Sequence, residues 1–456
     1  MRNHVHTRRE FLQGAVAAGV IAAVSRLPAG ETTPARKTSF VVVMCDDLGY
    51  GDLGCFGHPV IKTPHLDRFA QEGLRLTDCY ASAPVCSPSR CGMLTGRIPH
   101  RYGIYDWIPA NSPMHLPRTE ITVARMLQQA GYATCLVGKW HCNGKFNSPE
   151  QPQPGDAGFD HWMATQNNAR PSHRNPDNFV RNGTPVGPLE GFSSHIVVDE
   201  AIRWLKSLEA GKPFCLFVWF HEPHEPIAAD KVYTDMYPKA ETPEQAAYFG
   251  DVTQMDAAFG RLMAALDEMN RRNDTLVMFT SDNGPETLKR YPTAARSYGS
   301  PGPLRGMKLW LYEGGMRVPG IIRWPGRTRP GQTSSEPVTN LDVLPTFCEI
   351  AGVPVRHNID GASVLNIFDG KPVQRATPLY WQYRTALGPN KVAMRDGDWK
   401  LLARPDLKTF ELYNLREDPS ESRDLAEKDP DRVRSMAERL TALHADINRN
   451  PVIWKK

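Results

Sequence analysis

Four short stretches of this chain are apolar at nearly every position, and each stops abruptly at polar residues. Residues 40–45 end in Asp46-Asp47, and residues 132–137 end in Gly138-Lys139-Trp140-His141. Residues 213–220 end in His221-Glu222-Pro223-His224, and residues 275–281 end in Asp282-Asn283-Gly284. Apolar runs without alternation, rich in β-branched and aromatic side chains, read as strands of a sheet covered on both faces. Helical spacing lies between them, at 121–130 and 256–269. Strand alternating with helix predicts an α/β fold, a large mostly parallel sheet with helices on both faces. In such sheets ligands bind beyond the carboxyl ends of the strands, so four polar endings far apart in sequence predict a single crevice.

The pattern changes near residue 378. Residues 391–395 and 399–402 flank Asp396-Gly397-Asp398, a hairpin turn signal, and a charged helix follows at 431–447. This predicts a smaller C-terminal antiparallel sheet plus helix, over 376–456, after a main domain over 38–375. The Pro- and Asn-rich stretch 148–188 reads as a long loop.

The N-terminus reads as an address. Thr7-Arg8-Arg9-Glu10-Phe11-Leu12 precedes a run of small apolar residues at 14–24, too short to span a bilayer. A basic start followed by such a run is the pattern of a signal peptide, and the arginine pair points to the twin-arginine export machinery. Residues 1–30 are therefore expected to be a twin-arginine signal peptide cut near Ala29, with the mature protein periplasmic or extracellular. The formal charge of +4 is mostly in this segment, which holds Arg2, Arg8, Arg9 and Arg26 against Glu10. A nearly neutral remainder argues against nucleic acid as a partner. The nine cysteines include no C-x-x-C pair, which argues against zinc-ribbon and thioredoxin-like chemistry.

Residues 83–97 run Ala-Pro-Val-Cys86-Ser-Pro-Ser-Arg90-Cys91-Gly-Met-Leu-Thr-Gly-Arg. Read alone, Cys86 and Cys91 could form a disulfide or remain inert thiols. The segment resembles the C-x-P-S-R…T-G-R signature of the type I sulfatase (arylsulfatase) family, formylglycine-dependent enzymes of the alkaline-phosphatase-like superfamily. Gly138-Lys139-Trp140-His141 is similar to that family's G-K-W-H, and His221-Glu222-Pro223-His224 to its H-x-P-H. Residues 304–319, with Lys308, Glu313 and Arg317, are similar to its G-x-K…E-G-G-x-R-V-P stretch. One departure is visible: Cys142-Asn143-Gly144 follows the G-K-W-H run in place of the usual apolar-glycine step, which bears on the pocket wall.

The resemblance implies that 38–375 is a sulfatase catalytic domain and that Cys86 is converted to formylglycine by a formylglycine-generating or sulfatase-maturating enzyme. It implies Cys86, Arg90, Lys139, His141, His224 and Lys308 as catalytic residues, with Lys139, His224 and Lys308 binding substrate. It implies a divalent cation, calcium with magnesium as the alternative, on Asp46, Asp47, Asp282, Asn283 and the modified Cys86. The residue types agree, because adjacent carboxylates need a neutralising partner and all-oxygen ligands suit these hard cations. The implied reaction is hydrolysis of a sulfate ester, on a sulfated saccharide or an aryl sulfate. Two rivals stand beside it: a phosphonate or phosphodiester hydrolase on the same scaffold, and a non-catalytic carbohydrate-binding protein with Cys86 unconverted. Tyr105, Asp106, Trp107, Asn167, Asn168, Arg170 and His173 lie in loops that could wall a pocket, where aromatic and amide side chains would suit a sugar, or could simply pack their loops and face solvent.

Overall fold

The computed structural model describes residues 37–286 and 297–454. The expected signal peptide at 1–30 lies outside them. The main sheet contains β1 Ser39–Cys45, β2 Leu74–Tyr80, β3 Ala133–Lys139, β4 His161–Thr165, β5 Val180–Arg181, β6 Thr184–Pro185, β7 Phe214–Trp219, β8 Thr275–Ser281, β9 Arg317–Arg323, β10 Gln332–Ser334 and β11 Val338–Thr339. Its order is β10-β2-β9-β8-β1-β7-β3-β4-β5-β6, with β11 paired to β2. The centre is parallel: β1 lies between β7 and β8, and β3 lies between β7 and β4. β9 runs antiparallel to β8 and β2, so the sheet is mixed but mostly parallel.

Both faces are covered, as the unbroken apolar runs require. Phe40, Val42 and Met44 of β1 enter one core, and Val41, Val43 and Cys45 enter the other. The first core is closed by α2 Cys86–Thr95, α3 Val123–Gln129 and α8 Val343–Ala351. The second is closed by α1 Pro64–Glu72, α4 Ser193–Ser207 and α6 Pro243–Glu268. Two short helices, α5 Lys231–Thr234 and α7 Glu313–Met316, complete the helices of this part. Each fully buried Val, Leu or Phe on these strands contributes roughly 1.5–3 kcal/mol, so a charge at Val42 would break the centre of the sheet.

Two expectations need correction. The stretch 148–188 is not one long loop: it holds a 3-10 turn at Pro154–Ala157, strand β4, and the β5–β6 pair. Five residues between prolines and asparagines carry too little periodicity to read, yet β4 finds its place beside β3 through tertiary pairing. The helix expected at 256–269 starts at Pro243, where Thr242 caps it by accepting Gln245 N–H. Its first half is buried on consecutive positions 248–256, which leaves no amphipathic stripe to detect.

The C-terminal part forms a separate antiparallel sheet of β12 Leu379–Gln382, β13 Val392–Asp396, β14 Trp399–Ala403 and β15 Phe410–Asn414, with α9 Pro430–Ile447 against it. Asp396 and Trp399 close the β13–β14 hairpin around Gly397, whose φ of 58° suits a residue without a side chain.

Candidate active site

The site forms where β1, β3, β7 and β8 end. Asp46 and Asp47 leave β1, Lys139 ends β3, the 221–226 turn leaves β7, and Asp282 and Asn283 leave β8. The chain must turn sharply at these points. Gly138, at φ 106°, lies so close to the Trp219 carbonyl that any Cβ would overlap it, and this close approach delivers Lys139 inward. Asp47 takes φ 63°, a region that Asp tolerates better than most residues.

Cys86 is the first residue of α2, and its side chain sits at the helix N-terminus, where unpaired amides favour negative charge. It is free, as is Cys91, so the disulfide reading is overturned: both are held in one buried helix, and Cys91 faces Cys142 instead. Burial pushes the Cys86 thiol up to about 12, against the pull of Lys139 and Lys308, so the unmodified residue is a poor thiolate nucleophile. Cys86, His141, His224 and Lys308 line one cavity of about 300 Å³ together with Val85, Trp107, Asn167, Asn168 and Leu309.

The carboxylates lie beneath this cavity. Asp47 accepts Lys308 Nζ at 2.7 Å on Oδ2 and Asn283 Nδ2 at 2.7 Å on Oδ1. Asp282 Oδ2 accepts Arg90 Nε at 2.9 Å and Nη2 at 2.7 Å, and its Oδ1 accepts the Asp47 amide at 3.2 Å. Asp46 pairs with Lys139 and, at 3.4 Å, with Arg90. Arg90 also donates to the Lys139 carbonyl at 3.0 Å, so it ties α2 to the end of β3. Glu286, which accepts Lys308 at 3.2 Å, was not anticipated from sequence; it follows four residues after Asp282, and that proximity was the only available signal.

Three aspartates and Glu286 are buried together against Arg90, Lys139 and Lys308. Burial and the neighbouring Asp46 raise Asp282 to about 7, and burial raises Asp47 to about 6 although Lys308 opposes it. Burial would raise Asp46 too, but the Lys139 ammonium and the Arg90 guanidinium hold it well below the ordinary range. Among the described residues, Asp46 Oδ1 and Asn283 Oδ1 are buried and accept no hydrogen bond. Asp46, Asp47, Cys86 and His224 each bring a ligand atom within 4.8 Å of the others. Spare buried oxygens beside excess carboxylate fit a hard divalent cation.

The histidines differ. His141 Nε2 meets the Ile108 carbonyl at 3.1 Å, which only accepts, so Nε2 carries the proton and Nδ1 keeps its lone pair. Burial, with Lys139 and Arg90, keeps this ring far below its ordinary pKa and therefore neutral. His224 Nδ1 meets the Glu225 carbonyl at 2.6 Å, which leaves its Nε2 unprotonated, 3.6 Å from Asp47 Oδ2. Burial and Lys308 lower it to about 3. Lys308 itself is held well above the ordinary range: burial opposes the charge, but Asp47 outweighs it. His221 lies behind the strand end, with Nε2 2.8 Å from Thr165 Oγ1.

Of the expected pocket walls, Trp107, Asn167 and Asn168 line the cavity. Tyr105 is turned away, donating its hydroxyl to the Val452 carbonyl, and Asp106 accepts from Tyr383 and Thr385. His173 cannot wall a pocket. It is buried, with Nδ1 3.2 Å from Asp251 and 3.9 Å from Glu222, because its loop folds under the 221–226 turn. Glu313 and Arg317 form an ion pair at 3.4 Å beside Gly314-Gly315, away from the cavity.

A family model described as Sulfatase matches residues 38–353, and one described as N-sulphoglucosamine sulphohydrolase, C-terminal, matches residues 307–446. The chain is 34% identical over 405 residues to arylsulfatase A of Homo sapiens, covering 80% of this chain and 75% of that protein. It is 31% identical over 382 residues to N-acetylgalactosamine-6-sulfatase of Homo sapiens, covering 77% and 69%. Among solved structures it is similar to Ps i-CgsB in complex with k-i-k-neocarrahexaose, with a TM-score of 0.83, 26% identity, and coverage of 92% of this chain and 96% of that one.

Proposed function

Because the chain belongs to the type I sulfatase family and is a sulfuric ester hydrolase, we propose that it removes sulfate from a sulfated saccharide, with Cys86 converted to formylglycine and a divalent cation held by Asp46, Asp47, Asp282 and Asn283. The observation that carries this reading is the placing of Cys86 at the head of α2, in one cavity with His141, His224 and Lys308 and directly above the carboxylates. Calcium is the expected ion, since the donors are oxygens and the site needs no soft ligand.

When bound, the cation would supply positive charge against the sulfate oxygens, and the formylglycine hydrate a hydroxyl nucleophile with a second hydroxyl beside it. The chain's own residues do the rest. Lys139 and Lys308, both buried, set positive charge around the sulfuryl group, where such charge is more effective than in water. Arg90 fixes Asp282 and the end of β3, and so acts on the site from beneath. His141 Nδ1, with its lone pair free, takes a proton when sulfate is expelled. Of the two groups near the leaving oxygen, Lys308 already holds a proton at Nζ, and His224 orients the departing alcohol.

The saccharide reading has three supports. A relative acts on N-acetylgalactosamine-6-sulfate by its name, and a structural neighbour was solved with a neocarrahexaose. Trp107, 44% exposed at the cavity mouth, offers a stacking face for a sugar ring. We further infer export by the twin-arginine machinery from residues 1–30, and a maturating enzyme as the partner that acts on Cys86.

The test combines a mass measurement with sulfate release. The Cys86 peptide from protein made in a maturating host should show thiol-to-aldehyde exchange, and the protein should release sulfate from a sulfated sugar. Cys86→Ala should lower turnover by roughly 10⁴-fold or more, as loss of a nucleophile does elsewhere. An unconverted thiol in active enzyme, or faster cleavage of aryl phosphates than of any sulfate ester, would overturn the reading.

A further inference from the structure

Beside the reaction cavity lies a second hollow of about 710 Å³. The two share Asn167 and Asn168 as a common wall. This wall is held in place from both sides. Thr165, at the end of β4, donates its hydroxyl to the Asn167 carbonyl at 2.6 Å. Asn168 Nδ2 donates to the Glu225 carbonyl at 2.9 Å, and Asn178 Nδ2 donates to the Asn168 carbonyl at 2.9 Å. The second hollow is thus fixed relative to the reacting centre.

Its lining is polar and mixed. Asn111 and Gln166 add amides, Phe146 adds an aromatic ring, and Lys145 and Arg170 add positive charge. Lys145 is already paired with Glu150. Arg170 is exposed, and among the described residues its guanidinium makes no hydrogen bond or ion pair. Gly144, which also lines this hollow, closes the Cys142-Asn143-Gly144 step that departs from the family pattern. Amides beside one apolar ring suit a sugar, whose hydroxyls need donors and acceptors while its ring face does not. An unclaimed guanidinium adds a site for a planar or tetrahedral anion.

We propose that this hollow is a subsite for the sugar that adjoins the sulfated residue in an oligosaccharide, and that Arg170 recognises an anionic group on that neighbour. The proposal rests on the saccharide reading above and narrows it: the preferred substrate is at least a disaccharide, with a carboxylate or second sulfate beyond the one removed.

Three substrates that share one sulfated sugar test it: the monosaccharide, a disaccharide with a neutral neighbour, and a disaccharide with a uronate neighbour. For the converted enzyme, KM should fall in that order. Arg170→Ala should raise KM for the uronate disaccharide roughly three- to fivefold, the size expected of one exposed ion pair, with kcat unchanged. The other two substrates should be unaffected, and Arg170→Lys should restore part of the loss. Equal KM for all three substrates, or a rise for all three in Arg170→Ala, overturns the subsite and leaves the sulfatase reading standing. Cleavage of aryl sulfates with no turnover of any sulfated sugar overturns the saccharide reading, and the subsite with it.

Discussion

Two regions of this protein bury several charges at once, and they do so differently. At the strand ends, Asp46, Asp47, Asp282 and Glu286 face Arg90, Lys139 and Lys308. Between the two sheets, Glu313, Glu421 and Asp78 face Lys400, Arg317 and Arg395. In the second region the charges balance and every carboxylate oxygen meets a cation or donor: Lys400 Nζ lies 2.9 Å from Glu313 and 2.8 Å from Glu421, Arg395 lies 2.7 Å from Asp78, and the Glu313 amide donates to Glu421 at 2.6 Å. In the first region negative charge is in excess, and three buried oxygens, Asp46 Oδ1 and Oδ2 and Asn283 Oδ1, accept no hydrogen bond among the described residues, against Glu421 Oε1 alone in the second. Burial of charge therefore does not distinguish a working site from a structural joint. Bonding capacity left over after the protein has satisfied itself does.

The largest effect that would sharpen this contrast is at the joint. Lys400→Met takes the cation from buried Glu421, leaves Glu313 paired with Arg317 alone among the described residues, and should cost about 3–5 kcal/mol in a denaturant titration. The turnover of the remaining folded enzyme should be unchanged. A large loss of kcat with no loss of stability would break the distinction. A smaller effect comes from the other region. Calcium at a hundredfold above its dissociation constant should stabilise the wild type by about 2.7 kcal/mol, and Asp46→Ala or Asn283→Ala should abolish that gain in thermal unfolding. If the midpoint stays put with calcium and with magnesium, the spare oxygens are not a cation site.

The smallest effect concerns a cluster lying behind the site. Burial disfavours the charge of His173, but Asp251 and Glu222 raise its pKa to about 9, while burial raises Asp251 to about 6. The pair is doubly ionised between those values. Folded His173 keeps a proton that the unfolded chain loses near 6.5, so its stabilisation is complete below that pH and fades as pH rises through about 9. Between pH 6.5 and 9.5 the wild type should lose on the order of 2 kcal/mol more than His173→Asn. Equal losses would mean that the imidazole is neutral in the folded protein, and its ring would then be able to serve as a metal ligand.

Much of the site was legible because its parts are local. Each of the four central strands is a buried apolar run, and each announces its end with a change to polar residues. The Cys86 segment and Lys139 are readable for the same reason. Glu286, Lys400 and Glu421 were not, since an acidic residue or a lysine looks solvated until its partners arrive from distant segments. His173 misled for the converse reason: a polar residue in an Asn- and Pro-rich stretch reads as exposed, and only the fold places it under the 221–226 turn. The weak strand β4 belongs with these, because its identity depends on β3 more than on its own five residues.

Cys86 is 3% exposed, in a helix whose every residue is buried. Gly92 on that helix approaches Ser82 so closely that no side chain would fit between them. A macromolecular catalyst cannot reach this thiol once the helix has docked. Any oxidation of Cys86 by another enzyme must then precede tertiary closure, within the interval between synthesis and folding. On the proposed conversion of Cys86, competence becomes a matter of history: two molecules with the same fold would differ permanently in activity according to what met the nascent chain, and no later supply of cation or substrate would bring the idle one into use.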